Sequence, residues 1–285
     1  MAAAVSETLA EAGPALVPGV RDIVLVASGK GGVGKSTVAI NLAVALTRRG
    51  TRTGIVDLDL SGPSVARLAG AGAAPELGPD GRAIPRRAHG LDLVSGADMI
   101  PPEQAVVWKG PLVAQAVEQL FREVAWPDLD ILVADLPPGT GDVHLTVLEQ
   151  IPVSGVVVVT TPERMATVDA ERAVALFHEH DVPVFGVLRN MAEFICPCCG
   201  EHQALFDPGE TVDVGRRLHV ADLGAVPVER AAEGVPVTAA APEGPAGRAY
   251  ARLAGSVCAA LERERAAMRR RAEGERTIWE MINDD

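Results

Sequence analysis

Aromatic residues make up only 3% of this 285-residue sequence, so its core cannot be built around large rings. The 48% of residues that are hydrophobic are then mostly Val, Leu, Ile and Ala, which suits a parallel sheet covered on both faces. Basic charge is also in short supply. Asp and Glu number 38 against 26 Lys and Arg, and the resulting net charge of -12 argues against nucleic acid as the main partner, since phosphate backbones are bound through excess Lys and Arg. No stretch approaches the ~20 consecutive apolar residues that span a bilayer. Residues 1–20 are Ala-rich but carry Glu7 and Glu11 and lack a basic start, so they read as a disordered leader and not as an export signal. No membrane association and a cytoplasmic location are expected. Cysteine is scarce as well: of four, three fall within Cys196 to Cys199, a crowding that suits metal binding in a reducing compartment better than a disulfide framework.

What is present in strength is a glycine-rich turn after a short apolar run. Ile23 to Val26 reads as a buried parallel strand, and it is followed by Ser-Gly-Lys-Gly-Gly-Val-Gly-Lys-Ser-Thr, ending at Thr37. Gly29, Gly31, Gly32 and Gly34 permit backbone conformations closed to other residues, so that successive N–H groups, Val33 included, can turn inward around an anion. Lys35 and Ser36 then open a helix whose positive end points into the same cradle. The ammonium suits the β- and γ-phosphates and the hydroxyl a magnesium ion. The same letters satisfy the dinucleotide pattern Gly-x-Gly-x-x-Gly, with Asp57 closing the next strand. The Lys-Ser pair decides for a nucleoside triphosphate with Mg2+, because a dinucleotide site has no need of it.

Strands alternating with helices predict a doubly wound, mostly parallel α/β sheet. The spacing predicts a helix over Ser36 to Arg49 ending at Gly50, and a strand over Gly54 to Leu58 that delivers Asp57 and Asp59 to the sheet edge, where both can face magnesium and the attacking water, or one of the two can form the turn before Ser61-Gly62-Pro63. Residues 71–90 read as a loop with a short hairpin around Arg82 to Arg87. The apolar strand Asp130 to Asp135 runs into Leu-Pro-Pro-Gly-Thr-Gly-Asp142. Asp135 there suits the magnesium shell, the N–H of Gly139 suits the γ-phosphate, and Asp142 suits an N-cap. Asn190, at a later strand end, could recognise adenine through its amide, whereas His178 and His180 point to different faces of a helix and read as solvated.

Cys196-Pro-Cys-Cys-Gly200 reads as a metal knuckle in which Cys196 and Cys199 share one metal and Cys198 adds a third thiol. A single knuckle supplies half of a four-ligand shell. Either Cys198 and His202 complete a zinc site within the chain, or a second copy contributes the same knuckle across a two-fold axis. Cys258, among Ala and Leu at helical spacing, reads as core. The domain is expected over 21–260, followed by a charged helical extension over 261–285 with a small apolar face at Ile278, Met281 and Ile282.

With these motifs in view, the sequence resembles the Mrp/ApbC family of iron-sulfur cluster carrier ATPases, within the deviant Walker group that includes MinD and ParA. The resemblance runs from about residue 20 to about residue 260. It rests on Gly29 to Thr37, Asp57 to Ser64, Trp108-Lys-Gly-Pro111, Asp135 to Asp142, Thr161-Pro162, Asn190-Met191 and Cys196 to Gly200. It implies an ATP-hydrolysing homodimer that holds a 4Fe-4S cluster between subunits and passes it between cluster-assembly scaffolds and apo iron-sulfur proteins. By the same resemblance Lys30 reaches the partner's nucleotide, Lys35 contacts phosphate, Ser36 binds magnesium, Asp59 assists the attacking water, Asp135 supports magnesium, and Cys196 and Cys199 are cluster ligands. Three features depart from the family pattern: a thiol at Cys198, Lys109 in place of Arg, and only Asp207-Pro-Gly209 after the knuckle. Which two of the three thiols bind is therefore left open, and a MinD/ParA-type positioning ATPase is the alternative.

Overall fold

The computed structural model describes residues 16–99, 108, 110–196, 198–206 and 214–283, with the side chains of 164, 214 and 272–283 outside that description. The leader as far as residue 15, Lys109, Pro197, Asp207 to Gly209 and the side chains of Ile278, Met281 and Ile282 thus lie outside the described residues.

The first strand, β1 (Val20–Ala27), sits in the middle of an eight-stranded sheet. Its neighbours are β5 (Leu129–Asp135) on one side and β6 (Gly155–Thr160) on the other, both parallel to it. Beyond β5 come β2 (Thr53–Asp57), β4 (Leu91–Ser95) and β3 (Arg86–Ala88); beyond β6 come β7 (Val184–Arg189) and β10 (Asp222–Ala225). Only β3 runs antiparallel. The predicted doubly wound parallel sheet is therefore the observed one. The separate two-stranded hairpin of β8 (Glu193–Ile195) and β9 (His202–Ala204) carries Cys196, Cys198 and Cys199 between its strands.

Period-two alternation sorts the strand side chains onto two faces, and each face has its own core. Val24, Val26, Ile55, Val133 and Val157 pack under α1 (Lys35–Arg48) and α8 (Pro245–Asn283). Leu25, Val56, Leu132 and Val158 pack under α3 (Gly110–Arg122), α4 (Asp142–Gln150) and α5 (Arg164–Glu179). Each fully buried aliphatic side chain contributes roughly 1.5–3 kcal/mol, so burial on both faces fixes the register in which the strand ends line up. Among the described residues there are three shorter α-helices, α2 (Val65–Leu68), α6 (Val214–Leu218) and α7 (Val237–Ala240), and a 3-10 turn at Gly96–Met99.

Element boundaries follow from local backbone chemistry. At the expected hairpin an antiparallel bridge joins Leu77 and Ala83, with the N–H of Gly78 donating to the carbonyl of Arg82 and that of Ile84 to Glu76; a second hairpin, from β3 to β4, closes through the left-handed His89 (φ 50°) and Gly90 (φ 80°). Helix α1 ends as expected: Gly50 has φ 87°, and the N–H of Thr51 reaches back to the carbonyl of Leu46. Gly141, not Asp142, occupies the N-cap of α4, so Asp142 acts as an acidic first-turn residue. Helix α8 runs unbroken through position 261, and Arg265 pairs with the buried carboxylate of Asp22 at the start of β1. Among the described residues no helix is long and apolar enough to cross a membrane.

Candidate nucleotide site and cysteine knuckle

In β1, β5 and β2, Val26 pairs with Asp135 and Asp135 with Asp57, so the loop after β1 and two carboxylates meet at the carboxyl edge of the sheet. The chain leaves β1 for β2 across β5 and later returns to β6 on the opposite side. This makes the edge beside β1 the topological switch point where open α/β sheets bind ligands. Gly32 (φ 83°) and Gly34 (φ 81°) bend the loop through left-handed backbone, which lets it turn straight into α1.

At the head of α1, Lys35 is almost wholly buried and its Nζ donates to Asp135 Oδ1 at 2.6 Å and to Ser36 Oγ at 3.2 Å. Burial pushes Asp135 up to about 6 in spite of the ammonium beside it, and its Oδ2 has no hydrogen-bond partner. An orphaned carboxylate oxygen next to a lysine, a serine hydroxyl and a left-handed glycine loop is the donor and acceptor set that a magnesium-bound triphosphate needs. Sequence reasoning placed Lys35, Ser36 and Asp135 at one site, and they are together.

Asp57 is different. Of the two acids it is the one that forms the turn: fully buried, it accepts hydrogen bonds from the backbone N–H groups of Asp59, Ser64 and Val65 and from Ser95 Oγ and does not face the site. Burial still holds its pKa above the usual carboxylate range. It shapes the turn that presents Asp59, which is half-buried and accepts from the N–H of Gly62 at 3.1 Å. The N–H of Gly139, expected to serve a γ-phosphate, donates at 2.9 Å to the carbonyl of Ser28, which ties the Pro-Pro-Gly loop to the strand end before the phosphate loop. Gly31 faces the same loop, with Pro138 at van der Waals distance from where a side chain would be. On its other flank the phosphate loop abuts α5: a Cβ on Gly29 would fall 2.0 Å from the carbonyl oxygen of Asp169.

Two residues at this edge had no part in the sequence reading. Glu163 Oε2 lies 2.7 Å from Lys30 Nζ and holds that lysine within its own chain. The available signal was an acid directly after Thr161-Pro162 at a strand end. His144, 1% exposed, has neither ring nitrogen hydrogen-bonded; burial foremost, and the charge of Lys35 after it, bring its imidazole down to about 4. Its spacing to Val147 and Ile151, three and seven residues on, marks it as part of a buried helix face.

Asn190 is buried and its Nδ2 donates to the carbonyl of Val33 at 2.9 Å, so the donor half of the amide is committed to the phosphate loop. It also lines a cavity of about 480 Å³, along with Thr37, Met191, Val228 and Tyr250. That volume is in the range of small-molecule sites. A side chain at position 34 would collide with this arrangement, since its Cβ would stand 2.3 Å from Asn190 Nδ2. Gly34→Ala is expected to cost about 2–3 kcal/mol, the left-handed backbone penalty plus one lost hydrogen bond, and to abolish nucleotide binding. Thermal melting and titration with a fluorescent ATP analogue check both.

The knuckle sits in the β8–β9 turn. The N–H of Cys196 donates to the carbonyl of Glu201 at 2.9 Å and the N–H of Gly200 to the carbonyl of Cys196 at 2.8 Å, which closes the turn. Backbone N–H groups of Cys199 and Cys198 converge on the Cys196 thiol and hold it below the usual thiol range. Cys198 and Cys199 are exposed. His202, weighed as a fourth ligand in a zinc site, has its Nδ1 3.0 Å from Glu193 Oε2 across the hairpin. Among the described residues no three His, Cys, Asp or Glu side chains are grouped so as to hold a metal ion. Cys258 packs against the core, and His178 and His180 are exposed, as expected.

A family described as ParA, NUBPL iron-transfer P-loop NTPase, matches residues 19–258. The chain belongs to this family. Relatives of this P-loop NTPase include the iron-sulfur cluster carrier protein of Escherichia coli K12, 41% identical over 251 residues, which cover 86% of this chain and 68% of that protein. The mouse iron-sulfur cluster transfer protein NUBPL is 38% identical over 253 residues, covering 86% and 79% respectively. Among solved structures, the nucleotide-binding protein of Archaeoglobus fulgidus in complex with ADP superposes with a TM-score of 0.64 at 32% identity, over 75% of this chain and 84% of that one. The cell division ATPase MinD of Pyrococcus furiosus, with a TM-score of 0.61 at 20% identity over 83% and 98%, shares the fold.

Proposed function

We propose that this P-loop NTPase is an ATP-hydrolysing carrier that holds an iron-sulfur cluster between two copies of the chain and hands it to apo-proteins. The observation that carries the reading is the knuckle: thiols at an exposed turn, with N–H donors converging on Cys196 and with His202 engaged elsewhere. A thiolate set of this kind favours an iron-sulfur centre, and its incompleteness within one chain is what a shared cluster requires. The names of the relatives support the cargo, and the ADP-bound neighbour supports the nucleotide.

In this reading Gly29 to Thr37 cradle the triphosphate, Lys35 neutralises its phosphates, and Ser36 and Asp135 hold magnesium. Magnesium would supply charge neutralisation on the phosphate oxygens. Asp59, presented by the turn that Asp57 organises, orients the attacking water. Gly139 exchanges its Ser28 partner for phosphate. Lys30 leaves Glu163 to reach the nucleotide of the second copy, and Cys196 and Cys199 bind the cluster, a 4Fe-4S centre.

Anaerobic reconstitution with iron and sulfide tests it. The wild-type chain is expected to take up one four-iron cluster per two chains and to shift from monomer to dimer as it does so. The Cys196→Ser/Cys199→Ser variant is expected to take up none. Equal iron in both proteins would refute the carrier role.

A further inference from the structure

The nucleotide site and the knuckle are joined by one short piece of backbone. The last glycine of the phosphate loop packs without a side chain against Asn190 and Met191, the first residues after β7. Asn190 Nδ2 holds the loop carbonyl of Val33. Directly after this contact the chain enters the knuckle hairpin, and there it is stitched to the cavity wall: the N–H of Ala192 donates to Val226, and the N–H of Val228 donates to Glu193 at 2.7 Å. Phe194 and Val228 complete a parallel bridge. Met191 and Val228, the residues on either side of this seam, both line the cavity. Met191 is also in left-handed backbone, with φ 54°, an unfavourable conformation for a side chain of its kind and one that persists only where the surroundings impose it.

We propose that Met191 and the Val228–Glu193 seam form the joint that couples nucleotide occupancy to the conformation of the cysteine hairpin within a single chain. A ligand entering the cavity presses on Met191 and Val228 together, while anion binding moves the Val33 carbonyl and with it Asn190. Either displacement enters the hairpin two residues before β8, with no flexible linker to absorb it. Coupling of this kind is reciprocal, so occupancy of the knuckle changes nucleotide affinity by the same factor. The inference rests on the proposed nucleotide and cluster sites, and it takes the cavity beside Thr37 and Asn190 as the place of the part of the nucleotide that extends beyond the phosphates. It adds that the signal travels inside one subunit and does not need the dimer.

Hydrogen exchange read by mass spectrometry over residues 193–204 tests it on the full chain without cluster. Saturating ADP is expected to slow exchange of these amides about 5-fold in the wild type. Alkylation of the knuckle thiols with iodoacetamide is expected to change the affinity for a fluorescent ADP analogue, and an unchanged affinity would count against the coupling. Val228→Pro removes the N–H that holds Glu193, and Met191→Gly frees the strained joint while keeping the fold accessible. In both variants the exchange ratio at saturating ADP is expected to fall to about one. Because the ratio is taken at saturation, a loss of affinity does not mimic this result. A wild-type ratio of one, or a wild-type ratio retained in both variants, overturns the proposal. A chain that binds nucleotide and takes up iron yet shows either result has lost only this inference, whereas failure to bind nucleotide or iron removes the carrier reading itself.

Discussion

Lys35→Met is expected to lower nucleotide hydrolysis by roughly 10²–10³-fold, the usual cost of removing one preorganised charge partner from a phosphate site, and to make the stability of the protein depend steeply on pH. The second effect follows from the burial of the pair. Lys35 Nζ is 2.6 Å from Asp135 Oδ1, and the carboxylate is completely enclosed. Breaking a buried pair by deleting one partner commonly costs about 3–5 kcal/mol, because a charge is left in a dry environment. Asp135 has a way to relieve that cost. Burial already raises its pKa to about 6 with the lysine present, and without the lysine it rises further, so a proton takes over the neutralising role of the ammonium. A carboxyl whose folded-state pKa is raised contributes stability at low pH that is lost as pH climbs through that pKa. The variant should therefore be close to wild-type stability at pH 6 and clearly weaker at pH 8. Urea unfolding at the two pH values measures it, and a penalty of equal size at both would show that Asp135 does not depend on Lys35 for its charge.

The meeting of Lys35 and Asp135 at one site was legible in the sequence, though not their ion pair, because the phosphate loop is encoded locally. Glycines at fixed offsets followed by Lys35 and Ser36 leave few backbone solutions, and Asp135 follows from one apolar run ending at an acid. The sheet was legible for a related reason: runs such as Gly155 to Thr160 are buried on both sides and read as continuous apolar segments. What escaped were the contacts that depend on distant chain segments. Asp57 and Asp59 look alike in sequence, two acids at one strand end. Only the return of the Ser64 and Val65 N–H groups, together with the Ser95 hydroxyl, commits Asp57 to the turn. The wall of the cavity comes from Val226 to Val237, nearly two hundred residues after the phosphate loop, and has no motif of its own. Strands β8 and β9 have three residues each, too few for any period to show.

Replacing His144 is expected to uncover a pH dependence that the wild-type protein conceals. Two buried groups at the nucleotide edge are held away from their ordinary pKa values in opposite senses. Asp135 is raised from 3.8 to about 6, so the folded state binds its proton more tightly and stability falls as pH rises through that window, by about 3 kcal/mol in all. His144 is lowered from 6.5 to about 4, so the unfolded state binds its proton more tightly and stability rises over nearly the same window, again by about 3 kcal/mol. The two slopes oppose each other, and nucleotide-free wild-type protein should change little between about pH 4 and 6 on their account. His144→Gln removes one of them. Relative to wild type, its unfolding free energy should decline with rising pH across that interval, whereas Asp135→Asn should show the reverse slope even though it leaves Lys35 without its partner. Reading differences from wild type cancels the exposed carboxylates common to all three proteins. Parallel pH profiles for His144→Gln and wild type would mean that the buried imidazole titrates normally, and that its unpartnered nitrogens are satisfied by groups that also accommodate a charge.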